Sequence, residues 1–292
     1  MGGKTTRIKG DLDDVEAILE IITILKDVST NRFFTFAKKK ENFAKFLEIF
    51  LVFFNMLESV KTNCPLVRNE NPIADIVVMT SEQSFMSQLN NRVCNAALKE
   101  YQKQPNSRVI VVGRRGADKC KSLGMKLEKV YKDIEIVGRY EIAMSIRDYL
   151  IERIMSGSAG SAICIYIWAK SFNVLKPRIV KLLPAEELVQ GTDEEDAFGT
   201  GRKFITESTI DGIMKVLADV WVSSRLFEMI SDSQLSEAAA QAQQLESAIE
   251  GMSSEKKGMV MAFKKSQRGD LNKAMREVFS SSSVAKKVSA RR

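Results

Sequence analysis

Apolar residues at the two ends of this 292-residue chain recur every three and four positions, whereas in the middle they gather in short runs divided by turn residues. Near the start, Val15, Ile18, Ile22, Leu25, Phe36, Phe43, Phe46, Phe50, Phe53, Leu57 and Val60 share one 3,4 register, interrupted by polar Ser29, Arg32 and Lys39. That spacing predicts a helix over 1–62 that packs along a single stripe. Few helices of a globular domain hold one register for so long. Between Glu207 and Ser280 there is no proline, and only Gly212, Gly251, Gly258 and Gly269 interrupt good helix formers. A second helix is therefore predicted over 207–285. Its length, on the order of 110 Å, exceeds an ordinary domain, so it must run beside the first helix.

The centre, 73–190, reads as an α/β domain. DIVVMT (Asp75 to Thr80) predicts a strand, followed by a polar turn and a helix from about Phe85 to Lys103 that ends at Pro105 and Asn106. RVIVVG (Arg108 to Gly113) predicts the next strand, and GRRGADKCKSLGM a loop and a short helix stopped by Gly124. A strand is expected around Ile134 to Val137, a helix from about Tyr140 to Met155, a buried strand over Ala162 to Trp168 and a last strand from about Pro177 to Leu183. Strands alternating with helices imply a mostly parallel sheet covered on both faces.

Composition narrows the chemistry. With no histidine anywhere, imidazole acid–base catalysis, His-containing triads and His-ligated metals are removed together. Gly3-Lys4-Thr5 imitates the end of a phosphate-binding loop, but no glycine stands five positions earlier and no strand precedes it, so this segment is expected to be a flexible terminus. The turn after the first central strand, TSEQSF, has no glycine for a pyrophosphate to approach. Cys64, Cys94, Cys120 and Cys164 form no CxxC pair and read as buried, reduced thiols. Asp193, Glu194, Glu195 and Asp196 fall in a glycine-punctuated loop, 191–206, and read as solvated charge. The net charge of +7 collects in Lys38 to Lys40, in Lys264, Lys265 and Arg268, and in a basic tail, 286–292. Such clusters suit an acidic protein surface or a nucleic-acid backbone. The apolar stretch Ile49 to Phe54 is far shorter than the ~20 residues of a membrane span. No catalytic residue, cofactor or metal site is expected.

Several segments resemble, in one collinear order, the γ subunit family of F-type rotary ATP synthases. ILKDVSTNRF resembles that family's Met-(Lys/Glu)-Met-Val-Ala-Ala-Ser-Lys segment, with Leu25, Val28 and Arg32 at matching places and Lys26 at the charged one. IVVMTSEQSFMSQLNNRV resembles the strand and turn written Ser-Asp-Arg-Gly-Leu-Cys-Gly followed by Asn, keeping Ser81, Glu82, Leu89 and Asn90 but neither glycine. VIVVGRRGADKCKSLGM and IVKLLPAEE resemble the next strand with its turn and the Leu-Leu-Pro strand end. FITESTIDGIMKVLADVWVSSRLFEMISDSQLSEAAAQ resembles the start of the long C-terminal helix. FKKSQRGDLNKAMREV resembles Tyr-Asn-x-x-Arg-Gln-x-x-Ile-Thr-x-Glu, with Lys264, Gln267-Arg268, Asn272 and Ala274 as departures.

The resemblance implies an antiparallel two-helix coiled coil of the terminal helices with an inserted Rossmann-like α/β domain. It further implies a non-catalytic central-stalk rotor, one copy per complex, that transmits torque between a membrane c-ring and a hexamer of α and β subunits. The implied partners are the α, β and ε subunits and the c-ring, without nucleic acid or direct membrane insertion. The implied location is the cytoplasmic face of a bacterial inner membrane, or the matrix side of a mitochondrial one. Lys26, Arg32, Gln267 and Arg268 are the implied partner contacts. Three alternatives stay open: the shaft of a paralogous rotary ATPase, a coiled-coil nucleic-acid or cytoskeletal scaffold, and an α/β enzyme that dimerises through its helices.

Overall fold

A computed structural model describes residues 3–55, 64–83, 86–104, 106–134, 138–185 and 209–289, with the side chains of 41–55, 210 and 282–289 left out. The acidic loop, 191–206, lies outside the described residues. The elements run α1 (Gly3–Asn55), β1 (Ala74–Met79), α2 (Ser87–Lys103), β2 (Arg108–Val112), α3 (Arg114–Ser122), β3 (Leu127–Tyr131), α4 (Arg139–Met155), β4 (Ser161–Ser171), β5 (Val174–Leu183) and α5 (Ile210–Ser289). They divide into two compact units, one of Met1–Ser29 with Ala242–Arg292, the other Thr30–Gln241.

The first unit pairs the two chain ends. Thr5 bonds to Ser266 and Asp270, Glu16 to Lys256, and Lys26 to Glu246, so residue numbers fall on α5 as they rise on α1. The helices are therefore antiparallel. On α1 the covered positions of this unit are Thr5, Ile8, Leu12, Val15, Leu19, Ile22, Lys26 and Ser29; on α5 the 3,4-spaced ones are Ala242, Leu245, Ile249, Met252, Lys256, Met259, Phe263, Ser266 and Asp270, with Gln243, Gln244, Ser253 and Val260 partly covered beside them. Both sets step by three and four without a break, the signature of a heptad seam.

The expected register shares Val15, Ile22 and Ser29 with this seam but takes the wrong second row. Ile18 and Leu25 are 45% exposed, while Leu12, Leu19 and Lys26 occupy the positions that the pattern should have paired with them. A 3,4 repeat can be continued on either side of its first row. Here the apolar Ile18–Leu25 row is more hydrophobic than the row that packs. The expectation of a flexible start is also corrected, because α1 is helical from Gly3 and Thr5 is 2% exposed. At the other end, helix continues to Ser289, into the stretch read as a basic tail.

The second unit is a five-stranded sheet of order β3-β2-β1-β4-β5. β1 pairs parallel with β2 and β4, β2 parallel with β3, and only β4–β5 is antiparallel. Strands β1 and β2 are almost continuously apolar because both faces are covered. On one face Val77, Ile110, Cys164 and Tyr166 meet Ile146 and Leu150 of α4 and Trp221, Leu226 and Met229 of α5. On the other, Ile76, Val78, Val111 and Ile165 meet Val93 and Cys94 of α2, Cys120 of α3, Phe33 of α1 and Leu235 and Ala239 of α5.

Two local expectations change. The third strand is Leu127–Tyr131, not a run at Ile134; Ile134 lies outside any strand, and 135–137 are outside the described residues. LEKVY carries Glu128 and Lys129 because it is a sheet edge, where charge discourages further pairing. β5 starts at Val174 and folds back on β4 as a hairpin, with Pro177 tolerated because β5 is the opposite edge.

Candidate functional site

The C-terminal ends of the parallel strands are where α/β folds place ligands. Thr80, after β1, donates its hydroxyl to the Val112 carbonyl at 2.7 Å, and a Cβ on Gly116 would land on the Thr80 side chain. Next to it, Asn90 exchanges hydrogen bonds with the Ser81 backbone at 2.9 and 3.0 Å, and the Ser81 hydroxyl donates to Glu237 of α5 at 2.5 Å. The chain's own groups thus tie the turn after β1 to β2, α2 and α5. Among the described residues no cluster of Cys, Asp or Glu could hold a metal ion.

Two buried ion pairs tie this unit together. Arg153 of α4 grips Asp75 of β1 with two nitrogens, at 2.6 and 3.1 Å. Burial pushes the Asp75 carboxyl above its ordinary range and Arg153 opposes it. Lys40 of α1 meets Asp232 of α5 at 2.7 Å, and here too burial raises the carboxyl while Lys40 holds it down. Asp232 contributes, after burial itself, to pushing Tyr166 up to about 12. Cys94 and Cys120, distant in sequence, meet with sulfurs 3.5 Å apart, the Cys120 thiol donating. That bond lowers the pKa of Cys94 and raises that of Cys120. All four cysteines are free and buried.

Beyond the strand ends lies a cavity of about 720 Å³ whose lining includes Arg32 and Phe36 of α1, Gln83, Arg139 of α4, and Phe227 and Glu237 of α5. A second, of about 220 Å³, shares Phe36, Arg139 and Phe227 and adds Lys39 and Asp232. Arg139 lies over the Phe36 ring, 5.1 Å from its centroid, and burial lowers its pKa.

Of the four sequence-derived contact residues, Lys26, Gln267 and Arg268 lie in the first unit and Arg32 in the second. Lys26 sits in the coiled-coil seam, its ammonium 2.9 Å from Glu246, a hydrogen bond that raises its pKa. Gln267 and Arg268 are exposed on α5, some 21 residues or ~30 Å of helix beyond Glu246. Arg32 is exposed on α1 and lines the larger cavity of the second unit. Arg139 escaped the sequence reading because that reading began the helix at Tyr140; Gly138-Arg139 at a helix start was the available signal.

The chain is similar to the ATP synthase gamma chain of Pelotomaculum thermopropionicum, 22% identical over 213 residues that make up 73% of each chain. Its fold is similar to a chain of the Euglena gracilis mitochondrial ATP synthase OSCP/F1/c-ring structure, with TM-score 0.62 and 15% identity, covering 97% of this chain and 95% of that one. It is also similar to a chain of the Tetrahymena thermophila mitochondrial ATP synthase central stalk and c-ring, with TM-score 0.59 and 16% identity, covering 78% of this chain and 99% of that one. The family model described as ATP synthase matches residues 4–282. Two antiparallel terminal helices, an α/β insert between them in sequence, and a family match over nearly the whole length lead to one assignment: the chain belongs to the ATP synthase family, as a divergent γ chain.

Proposed function

We propose that this chain is the central-stalk rotor that carries torque between a membrane c-ring and a catalytic α/β hexamer, without itself making or breaking bonds. The observation that carries this reading is the antiparallel pairing of the two chain ends through Thr5–Asp270, Glu16–Lys256 and Lys26–Glu246. Two wound helices resist twisting where a single helix would not, and the apolar seam residues each contribute up to roughly 1.5–3 kcal/mol as they are covered. The proposed partners are the α, β and ε subunits and the c-ring, with one copy of this chain per complex. Lys26, Arg32, Gln267 and Arg268 are proposed contacts for the hexamer. The proposed location is peripheral, on the cytoplasmic or matrix side. Among the described residues no helix is long and apolar enough to cross a membrane.

The test is affinity purification of the tagged full chain from its own cells in mild detergent. Co-isolation of α, β and ε subunits with ATPase activity is the expected result. Recovery as a homo-oligomer without those partners would overturn the assignment of role.

A further inference from the structure

Two of the four thiols meet where nothing in the rotor role calls for them. Cys94 of α2 and Cys120 of α3 lie 26 positions apart in sequence and 3.5 Å apart at sulfur. The Cys120 thiol donates to the Cys94 sulfur and the Cys94 thiol donates to the Gly116 carbonyl at 3.8 Å, a relay of two hydrogen bonds that ends on the α3 backbone. Cys64 and Cys164 cannot intrude, because they pack on the opposite face of the sheet.

The pair is chemically uneven. Its shared hydrogen bond lowers the pKa of Cys94, with burial opposing and Lys119 assisting, while the same bond and burial raise Cys120. A thiolate therefore forms more readily on Cys94, with the S–H of Cys120 beside it. Both residues are 0% exposed, so a bulky reagent is kept out and the oxidant that suits them is a small one, such as a peroxide. The helix that carries Cys120 is also well placed to matter. A Cβ on Gly116 would collide with the Thr80 side chain, so the α3 backbone lies directly on the end of β1. Gly113, just before α3, donates to the Tyr131 carbonyl at 2.8 Å and so holds the β3 edge of the sheet.

We propose that Cys94 and Cys120 form a redox modification site, which a peroxide converts to a disulfide that fastens α3 and the β3 edge to α2. The Cys94 thiolate attacks one peroxide oxygen and breaks the O–O bond, giving a sulfenic acid and a hydroxide that takes up the proton Cys94 released. The Cys120 sulfur then attacks the sulfenic sulfur and breaks its S–O bond, and the hydroxyl leaves with the Cys120 proton as water. Both thiols are oxidised, and the peroxide is reduced to water. The sulfurs need approach each other by only about 1.5 Å from their present 3.5 Å, within reach of side-chain rotation. The site is independent of the rotor reading, since it lies wholly within the α/β unit.

The test treats the full chain with a dose of hydrogen peroxide that oxidises exposed Met155, then maps its cysteines by mass spectrometry after non-reducing digestion. Expected is one linked peptide joining Cys94 to Cys120, undone by dithiothreitol, with Cys64 and Cys164 still thiols. Amide exchange should slow several-fold in α3 and β3 and stay unchanged in α4, and the melting temperature should rise by roughly 5–10 °C. In Cys120→Ala, oxidation should stop at an oxyacid of Cys94, whereas Cys94→Ala should leave Cys120 a thiol. If either alanine variant misfolds by circular dichroism, the unaltered chain still decides. Thiols that stay reduced at that dose, a link to Cys64 or Cys164, a link that forms only in urea, Cys120 oxidised as fast in Cys94→Ala as in the parent, or a lower melting temperature would each overturn the proposal.

Discussion

Lys40→Met offers a sharp test of how α1 is fastened to α5 inside the α/β unit. Asp232 is 2% exposed, and its side chain faces Lys40 at 2.7 and 2.8 Å, Tyr166, Glu228 and Arg178. Removing the ammonium leaves a buried carboxylate with no counter-charge at that distance, which costs about 3–5 kcal/mol when one partner of a buried pair is lost. For a unit of this size 3 kcal/mol corresponds to a fall in Tm of roughly 6–12 °C. The pH dependence has a definite sign. Burial already places the folded pKa of Asp232 above its ordinary 3.8, and Lys40 is the largest influence pulling it down. A raised carboxyl stabilises the fold when protonated, fully below the unfolded value, and loses that contribution as pH rises through the folded value. Taking Lys40 away raises the folded value further. The penalty of Lys40→Met is therefore greatest at pH 7–8 and shrinks as pH falls, because Asp232 accepts a proton instead. Thermal melts from pH 8 to pH 5, with Lys40→Met/Asp232→Leu as the paired control, measure this. The double variant should recover most of the lost stability. A Lys40→Met melt within about 1 °C of the parent at pH 7, or a gap that widens toward acid, would refute the reasoning.

Other outcomes follow from particular contacts. Thr5→Val removes both cross-helix bonds of a nearly buried hydroxyl and should cost about 1–3 kcal/mol, read as faster amide exchange in the first turns of α1 with no change around β1. Gly160→Ala drives a Cβ into the Asn71 backbone carbonyl and should abolish soluble expression, whereas Gly258→Ala, with open space around it, should leave the melt within about 1 °C or raise it. All four thiols should resist maleimide in the native chain and react together in urea, Cys164 being both buried and pushed up to about 12; one thiol that reacts quickly without denaturant would contradict their placement.

Much of the fold is legible because each central segment keeps local and global signals in agreement. DIVVMT and RVIVVG are strands by β-branching, and because both faces are covered nothing in their pattern conflicts with burial. LEKVY is hidden for the opposite reason. As an edge strand it keeps charges that a sequence reading assigns to a loop, so the more apolar stretch at Ile134 attracts the prediction. The cleft is harder still. Arg32, Phe36, Gln83, Arg139 and Phe227 come from four separate segments, and none stands in a motif with the others.

The coiled-coil seam shows why counting apolar residues chose the wrong row. Lys26 and Lys256 occupy seam positions, each tied to a glutamate on the opposite helix, and Thr5 joins Ser266 and Asp270 at the far layer. An all-apolar row containing Ile18 and Leu25 would bury more area but would tolerate sliding by a heptad, since one aliphatic layer resembles the next. Polar layers remove that freedom, because a shift of seven residues separates Lys26 from Glu246 and Thr5 from Asp270 at the same time. Register matters more than affinity for two helices that must hold one phase under torque. Replacing Lys26, Glu246, Lys256 and Glu16 together with leucine should therefore raise the thermal stability of the paired helices while loosening their register. A disulfide placed one heptad out of phase should form readily in that variant and fail to form in the parent. Equal formation in both would show that the polar layers do not set the alignment.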